Sequence, residues 1–354
     1  MQIDFHHATT YVVARDAQFT HDEAAIIAYA AQYVDDATST GTVYFDNRAV
    51  YNRISSAHKM LDLRNTEELA NHYVWMPFHF LPGNGGLPAD QNPNGSFIEK
   101  IICKPDSPVA QEMVRDAILG RGHAYGLHRL GVTMHVYADT WAHQGFAGVL
   151  HAINEVEDAE EIDNSKVFSK GLAYVLRSVL DDTIPPLGHG RAQTFPDMPF
   201  LKWKYIDGSG AEITRDNTSE FLEAADHMCI AMRRYIAGDP TASVNGLNDA
   251  TRQQIENMFI TTAFEDADAR HEKWLAAIRS GEFTVCGKVD IDNYSSRGND
   301  SWKAEALGTS FDLPVHQYRE NFLTSHWKLF HDAIQAHRFN VVYNILPRYG
   351  ICAA

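Results

Sequence analysis

The chain is short of cysteine, of basic side chains and of long apolar runs. Its four cysteines, Cys103, Cys229, Cys286 and Cys352, are widely spaced and form no CxxC pair, so neither a zinc ribbon nor a disulfide framework is signalled. Lysine and arginine number 30 against 46 aspartates and glutamates, a formal charge of −16. That balance disfavours general nucleic-acid binding, which needs cationic groups to neutralise phosphate. No window reaches the ~18 apolar residues of a membrane span. The first residues, Met1-Gln-Ile-Asp-Phe-His-His, lack the basic region and apolar run of a secretory signal. Without a signal or a span, the expected location is cytoplasmic, with non-classical secretion the remaining route out. No repeat, low-complexity tract or clear linker divides the 354 residues. The simplest organisation is one mainly α-helical domain over 1–354, with a metal-site half (1–200) and a helical C-terminal half (201–354).

What the chain has in excess is histidine, 18 in all. The stretch Gly131-Val-Thr-Met-His135-Val-Tyr-Ala-Asp139-Thr-Trp-Ala-His143 repeats a ligand type every four residues, which on a helix stacks His135, Asp139 and His143 on one face. Val132, Met134, Val136, Ala138, Trp141 and Ala142 around them are apolar, so these groups are expected to be buried and to need partners. Histidine and aspartate suit zinc or a similar divalent ion. Three ligands along ~12 Å of helix, at ~1.5 Å per residue, cannot all meet one ion. More than one metal is implied, with Asp139 placed to bridge.

Further candidates appear along the chain. In an extended lead-in, Asp4 and His6 point to one side and can share an ion. A helix spans Ala8 to Phe19. Thr20-His-Asp-Glu23 forms a capping box for an apolar helix that ends on Asp35-Asp36, two carboxylates at the negative end of the dipole that call for a cation. About 40–105 is a long irregular excursion rich in turn signals, holding Trp75, Phe78, His79 and Phe80 just before a turn. Ser107 and Pro108 start another helix. An acidic helix over Val149 to Glu161 carries the pair His151 and Glu155. An amphipathic helix spans Lys166 to Asp182, and the loop behind it carries His189 between two glycines and Asp197 in a Pro-Asp-x-Pro turn. A β-hairpin covers about 201–215, the one strong strand signal. Helices over about 218–237, 248–264, 265–280 and 318–346 complete the chain, and the histidines on them read as core or surface residues.

These residues together resemble the zinc-dependent phospholipase C and single-strand-specific nuclease superfamily, all-α enzymes with a trinuclear zinc site. Gly131-x3-His135-x3-Asp139 is similar to that family's metal-binding helix, whose Asp bridges two ions. His79-Phe80 followed by Asn84-Gly85 is similar to its His-Phe loop. By that resemblance His6 or His7 and Asp36 or Asp35 are further ligands. His143 begins a third site, completed by His189 and Asp197 or by His151 and Glu155, with the first pair favoured. Secreted members of the family also ligate through the amino group of an N-terminal Trp, which this chain lacks; either Asp4 substitutes there or that site is weak or empty.

The resemblance implies a hydrolase of phosphodiesters, phospholipase C-like, with two or three zinc ions activating water and Asp139 and Asp36 (or Asp35) as the catalytic carboxylates. Its substrate is a small molecule or a phospholipid, with Trp75, Phe78 and Phe80 covering the bound group. A nuclease of the same superfamily is the alternative enzyme, made less favourable by the charge. A non-catalytic metal-binding or interaction protein is the alternative of another class.

Overall fold

A computed structural model describes residues 1–58, 68–162 and 187–352. The amphipathic segment expected at Lys166 to Asp182 lies outside them. The chain opens on a wide helical turn, Asp4–Thr9, that runs into α1 (Thr10–Asp16). α2 (His21–Asp36) begins with the expected capping box: Thr20 accepts from the Glu23 amide while the Glu23 carboxylate accepts from the Thr20 amide. A hairpin, β1 (Gly41–Tyr44) and β2 (Val50–Arg53), then α3 (Glu68–Phe78) and the short α4 (Ile98–Ile101) give order to much of the excursion. α5 (Pro108–Leu119) starts from a Ser107 cap with Pro108 in its first turn, and α6 (Gly126–Ala142) follows.

Beyond α6 an antiparallel sheet forms from β3 (Val156–Glu161), β4 (Lys202–Asp207) and β5 (Glu212–Asp216). The chain continues through α7 (Asn217–Ala237), α8 (Asp249–Thr261), α9 (Ala267–Ser280), α10 (Trp302–Leu307) and α11 (His326–Phe339). The architecture is mainly α, and none of the described helices is long and apolar enough to cross a membrane.

Two expectations need correcting. The acidic helix expected over Val149 to Glu161 is a short 3-10 turn followed by strand β3, because β4 offers a free edge and Lys204 pairs with Glu160 across it at 3.0 Å. Tertiary pairing there outweighs local helix propensity. The lead-in at Asp4 is helical, not extended, so residues two apart point to nearly opposite sides.

α6 is the axis of the molecule: every residue in it but Leu127 is buried. α2 lies directly against it, and the reason is Gly131. A Cβ at that position would collide with the Ile27 carbonyl oxygen and approach the Ala30 Cβ to 2.7 Å. The missing side chain lets the two backbones meet, which brings the end of α2 against His135, one turn beyond the glycine. A second anchor is the pair Arg270–Asp4 at 2.6 Å, both side chains fully buried, tying the opening turn to α9. Breaking such a pair from one side costs roughly 3–5 kcal/mol.

Glycine inside a helix ordinarily costs ~1 kcal/mol against alanine, but at Gly131 the collision reverses the sign. Gly131→Ala is expected to destabilise by about 1–3 kcal/mol, the range for overpacking, as measured by urea denaturation; a more stable variant would contradict the close approach of α2 and α6.

Candidate metal centre

α6 contributes His135 and Asp139 directly and His143 at its C-cap. The opening turn supplies His6, the end of α2 supplies Asp35, the residue after α3 is His79, and the segment before β4 supplies His189 and Asp197. Three sets form among them: His6, Asp35 and His135; His79, His135 and Asp139; His143, His189 and Asp197. Within each set the ligand atoms lie within 4.8 Å of one another. Asp139 joins the sets. Its Oδ1 is 3.2 Å from His6 Nε2, and its Oδ2 is 3.3 Å from His135 Nε2 and 3.6 Å from both His79 Nδ1 and His143 Nδ1.

The backbone determines which ring nitrogens are free. His79 donates from Nε2 to the Ser56 carbonyl (2.9 Å), His143 from Nδ1 to the His79 carbonyl (2.7 Å) and His189 from Nδ1 to the Gln193 carbonyl (2.8 Å). A neutral imidazole has one N–H, so the opposite nitrogens carry lone pairs. Two of them face carboxylate oxygens, His143 Nε2 meeting Asp197 Oδ1 at 3.3 Å and His189 Nε2 meeting Asp197 Oδ2 at 3.6 Å, while His79 Nδ1 lies 3.3 Å from His135 Nε2 and 3.8 Å from Asp35 Oδ1. Lone pair against carboxylate is repulsive unless a cation lies between, and a carbonyl accepting the other N–H is the usual outer support of a metal-bound histidine. Both ring nitrogens of His6, Nδ1 of His135 and Oδ2 of Asp139 are buried without a hydrogen-bond partner, in a protein interior where such atoms are rarely left unsatisfied. The donor set fits metal ions.

Aromatic contacts hold the rings. His6 stacks on His135 at 3.8 Å between centroids, Phe80 on His143 at 4.6 Å, and Trp75 lies 5.1 Å from His79. Gly188, at φ +53°, passes so close over the Phe80 ring that a Cβ could not fit, and this delivers His189 to His143.

Electrostatics follow from burial and neighbours. Desolvation pushes His6, His135 and His189 down to about 4, favouring neutral imidazoles. Burial opposes charge on Asp139 and Asp197, yet both stay below the ordinary carboxylate range, Asp139 chiefly through His143 and the Met1 amino group, Asp197 through that amino group and His189. Asp35 is raised by burial, partly offset by His135 and His79. The amino group of Met1 lies 2.8 Å from Asp139 Oδ1 and 3.1 Å from Asp197 Oδ1. Burial weakens its charge, but Asp139, Asp197 and Asp35 overcome that and raise it to about 11.

Other expected residues lie elsewhere. Asp4 is committed to Arg270, so the Met1 amino group, not Asp4, occupies the amino-terminal corner of the cluster. No side-chain pattern could have revealed it; the hint was His6 itself, close enough in the chain to bring Met1 along. His7 pairs with His271 at 2.9 Å. Asp36 accepts from the Tyr294 hydroxyl at 2.6 Å and belongs to none of the three sets. His151 caps the turn at Ile153, and Glu155 pairs with Arg191 at 3.4 Å, so the third set is completed by His189 and Asp197. Trp75 and Phe80 lie against His79 and His143, and Phe78 is buried against His337.

A family model described as "Family of unknown function (DUF6765)" matches residues 1–345, a span that holds every residue of the cluster. The chain belongs to that family. No curated protein and no solved structure matches it. For this member of DUF6765 the chemistry therefore rests on the geometry. An open cleft of about 600 Å³ reaches the cluster at Met1 and Asp35. A larger cleft, about 860 Å³, is lined by Tyr137 and His227 and contains none of the ligand residues.

Unfolded imidazoles protonate near ~6.5, whereas His6, His135 and His189 protonate near about 4 in the fold. As pH falls the unfolded chain takes up protons first, so stability present above ~6.5 is lost progressively toward 4. The raised amino group acts in the opposite direction, its contribution being lost as pH rises through about 11. Urea denaturation of chelator-treated protein should show stability dropping between neutral and mildly acid pH; a flat profile would contradict the buried neutral histidines.

Proposed function

We propose that this protein is a divalent-metal-dependent phosphoester hydrolase, related in its metal centre to the zinc-dependent phospholipase C and single-strand-specific nuclease superfamily and holding two or three zinc ions. The supporting observation is the trio of ligand sets joined by Asp139, with the lone pairs of His143 and His189 aimed at Asp197. His79, His135 and Asp139 would hold one ion, His6 and Asp35 with His135 a neighbour, and His143, His189 and Asp197 a third. Bound divalent ions lower the pKa of water toward neutrality and draw charge from phosphate oxygens.

The protein's own part is positioning and proton handling. Asp139 and Asp197 remain ionised and keep the rings turned inward. Asp35 is the cluster carboxylate that faces the cleft, with its side chain 35% exposed, so its Oδ atoms are placed to take a proton from attacking water. Asp36, hydrogen-bonded to Tyr294, steadies the turn beside it. A purely structural metal site has a closed ligand shell; the cleft at Asp35 and Met1 favours an open, catalytic one. A nuclease role is opposed by the net charge of −16 and by the acidic cleft wall.

The test is metal content by elemental mass spectrometry, with turnover of p-nitrophenyl phosphate mono- and diesters. Wild type should hold two or three zinc-type ions per chain. Asp139→Asn should stay folded, retain fewer ions and lose more than the ~10–100-fold typical of outer-sphere changes. Absence of bound metal after reconstitution would refute the reading.

A further inference from the structure

The cleft over the cluster is lined by three carboxylates, Asp35, Asp36 and Asp268, and by one side-chain cation, Arg297. Asp35 faces His79 and His135, and Asp36 is held by Tyr294. Arg297 is exposed, makes no ion pair with any carboxylate among the described residues, and is the one arginine or lysine that lines this cleft. In a chain of net charge −16, a guanidinium left unpaired in an acidic cleft is available to an incoming anion.

Its backbone, by contrast, is fastened. Arg279 donates to the Asn293 side chain at 2.8 Å, Tyr294 to Asp36 at 2.6 Å, and Tyr29 to the Ser295 carbonyl at 2.5 Å, while the Ser295 hydroxyl bonds to the Arg297 carbonyl. Tyr29 is itself stacked on Trp302 at 3.8 Å. A hydrogen-bonded segment thus presents a planar donor at the cleft beside the cluster, and guanidinium matches phosphate oxygens in a paired fashion that a lysine cannot.

The rest of the wall argues against a lipid. Its apolar members are Met1, Ile3 and Ala267 with the ring of Tyr294, and none of the large exposed apolar side chains among the described residues lines it. Sites for apolar groups are predominantly apolar. We infer that Arg297 holds the phosphate of an incoming substrate, and that this substrate is a small water-soluble phosphate ester, not a phospholipid in a bilayer. This rests on the hydrolase reading above.

The test is calorimetric titration of inorganic phosphate into zinc-loaded wild type, Arg297→Met and Arg297→Lys, with zinc content determined for each, and sedimentation of wild type with phosphatidylcholine vesicles. Losing one charge-assisted contact should weaken phosphate binding by about 10- to 100-fold in Arg297→Met, with zinc content unchanged, partial recovery in Arg297→Lys, and no pelleting with vesicles. Equal affinity in wild type and Arg297→Met overturns the role of Arg297 alone. No phosphate binding by zinc-loaded protein, or wild type that pellets with vesicles, overturns the substrate class. Wild type that takes up no zinc overturns the hydrolase reading and this inference together.

Discussion

Asp139 is the group on which the arrangement depends. Its carboxylate is almost fully buried, faces imidazole nitrogens from His6, His79, His135 and His143, and touches the Met1 amino group. A lone carboxylate in such a place would be expelled or neutralised, because desolvating an unpaired charge costs several kcal/mol. It stays ionised because the Met1 amino group touches it and imidazoles lie on its other sides, and those groups come from chain positions scattered between Met1 and His143. Holding one charge in the interior therefore requires several elements to converge on α6.

That convergence is built from packing. Gly131 removes the side chain that would keep α2 away from α6. Arg270 grips Asp4 and draws the opening turn inward. Gly188 lets a loop cross the face of Phe80. Each of these contacts orients a ligand without being one. The carbonyls of Ser56, His79 and Gln193 then select a tautomer for three of the histidines. Polar chemistry and core packing are one structure here, since the imidazoles of the candidate metal sets are also rings that stack.

Charge is distributed to the same end. The chain is strongly acidic, and several of its carboxylates gather at the cluster and the cleft above it. The sets of buried histidines and aspartates could hold cations that offset that concentration, and Arg297 is the one side-chain cation at the cleft. The wall mixes carboxylates, amides and hydroxyls with Met1, Ile3, Ala267 and the Tyr294 ring.

Much of this was written in local sequence. The spacing of His135, Asp139 and His143 declares a helix with ligands on one face, because helical geometry depends on nearby residues alone. The capping box at Thr20, the Ser107-Pro108 start and the hairpin near 201–215 are equally local, and all three are present. His79, His189, Asp35 and Asp197 were recognisable as ligand types in suggestive settings. What the sequence could not carry is pairing across distance. Asp4 finding Arg270, Glu155 finding Arg191, Asp36 finding Tyr294 and the aromatic residues turning inward are contacts between segments up to 266 positions apart. The same is true of the strand at Val156–Glu161, whose partner is β4 and whose own residues favour a helix. Sequence by itself determined the mainly helical elements and the kinds of ligand they carry. Only the tertiary structure decided which of those ligands meet, and that the amino group of Met1 sits among them, because burial and neighbouring charge exist only once the chain has closed around α6.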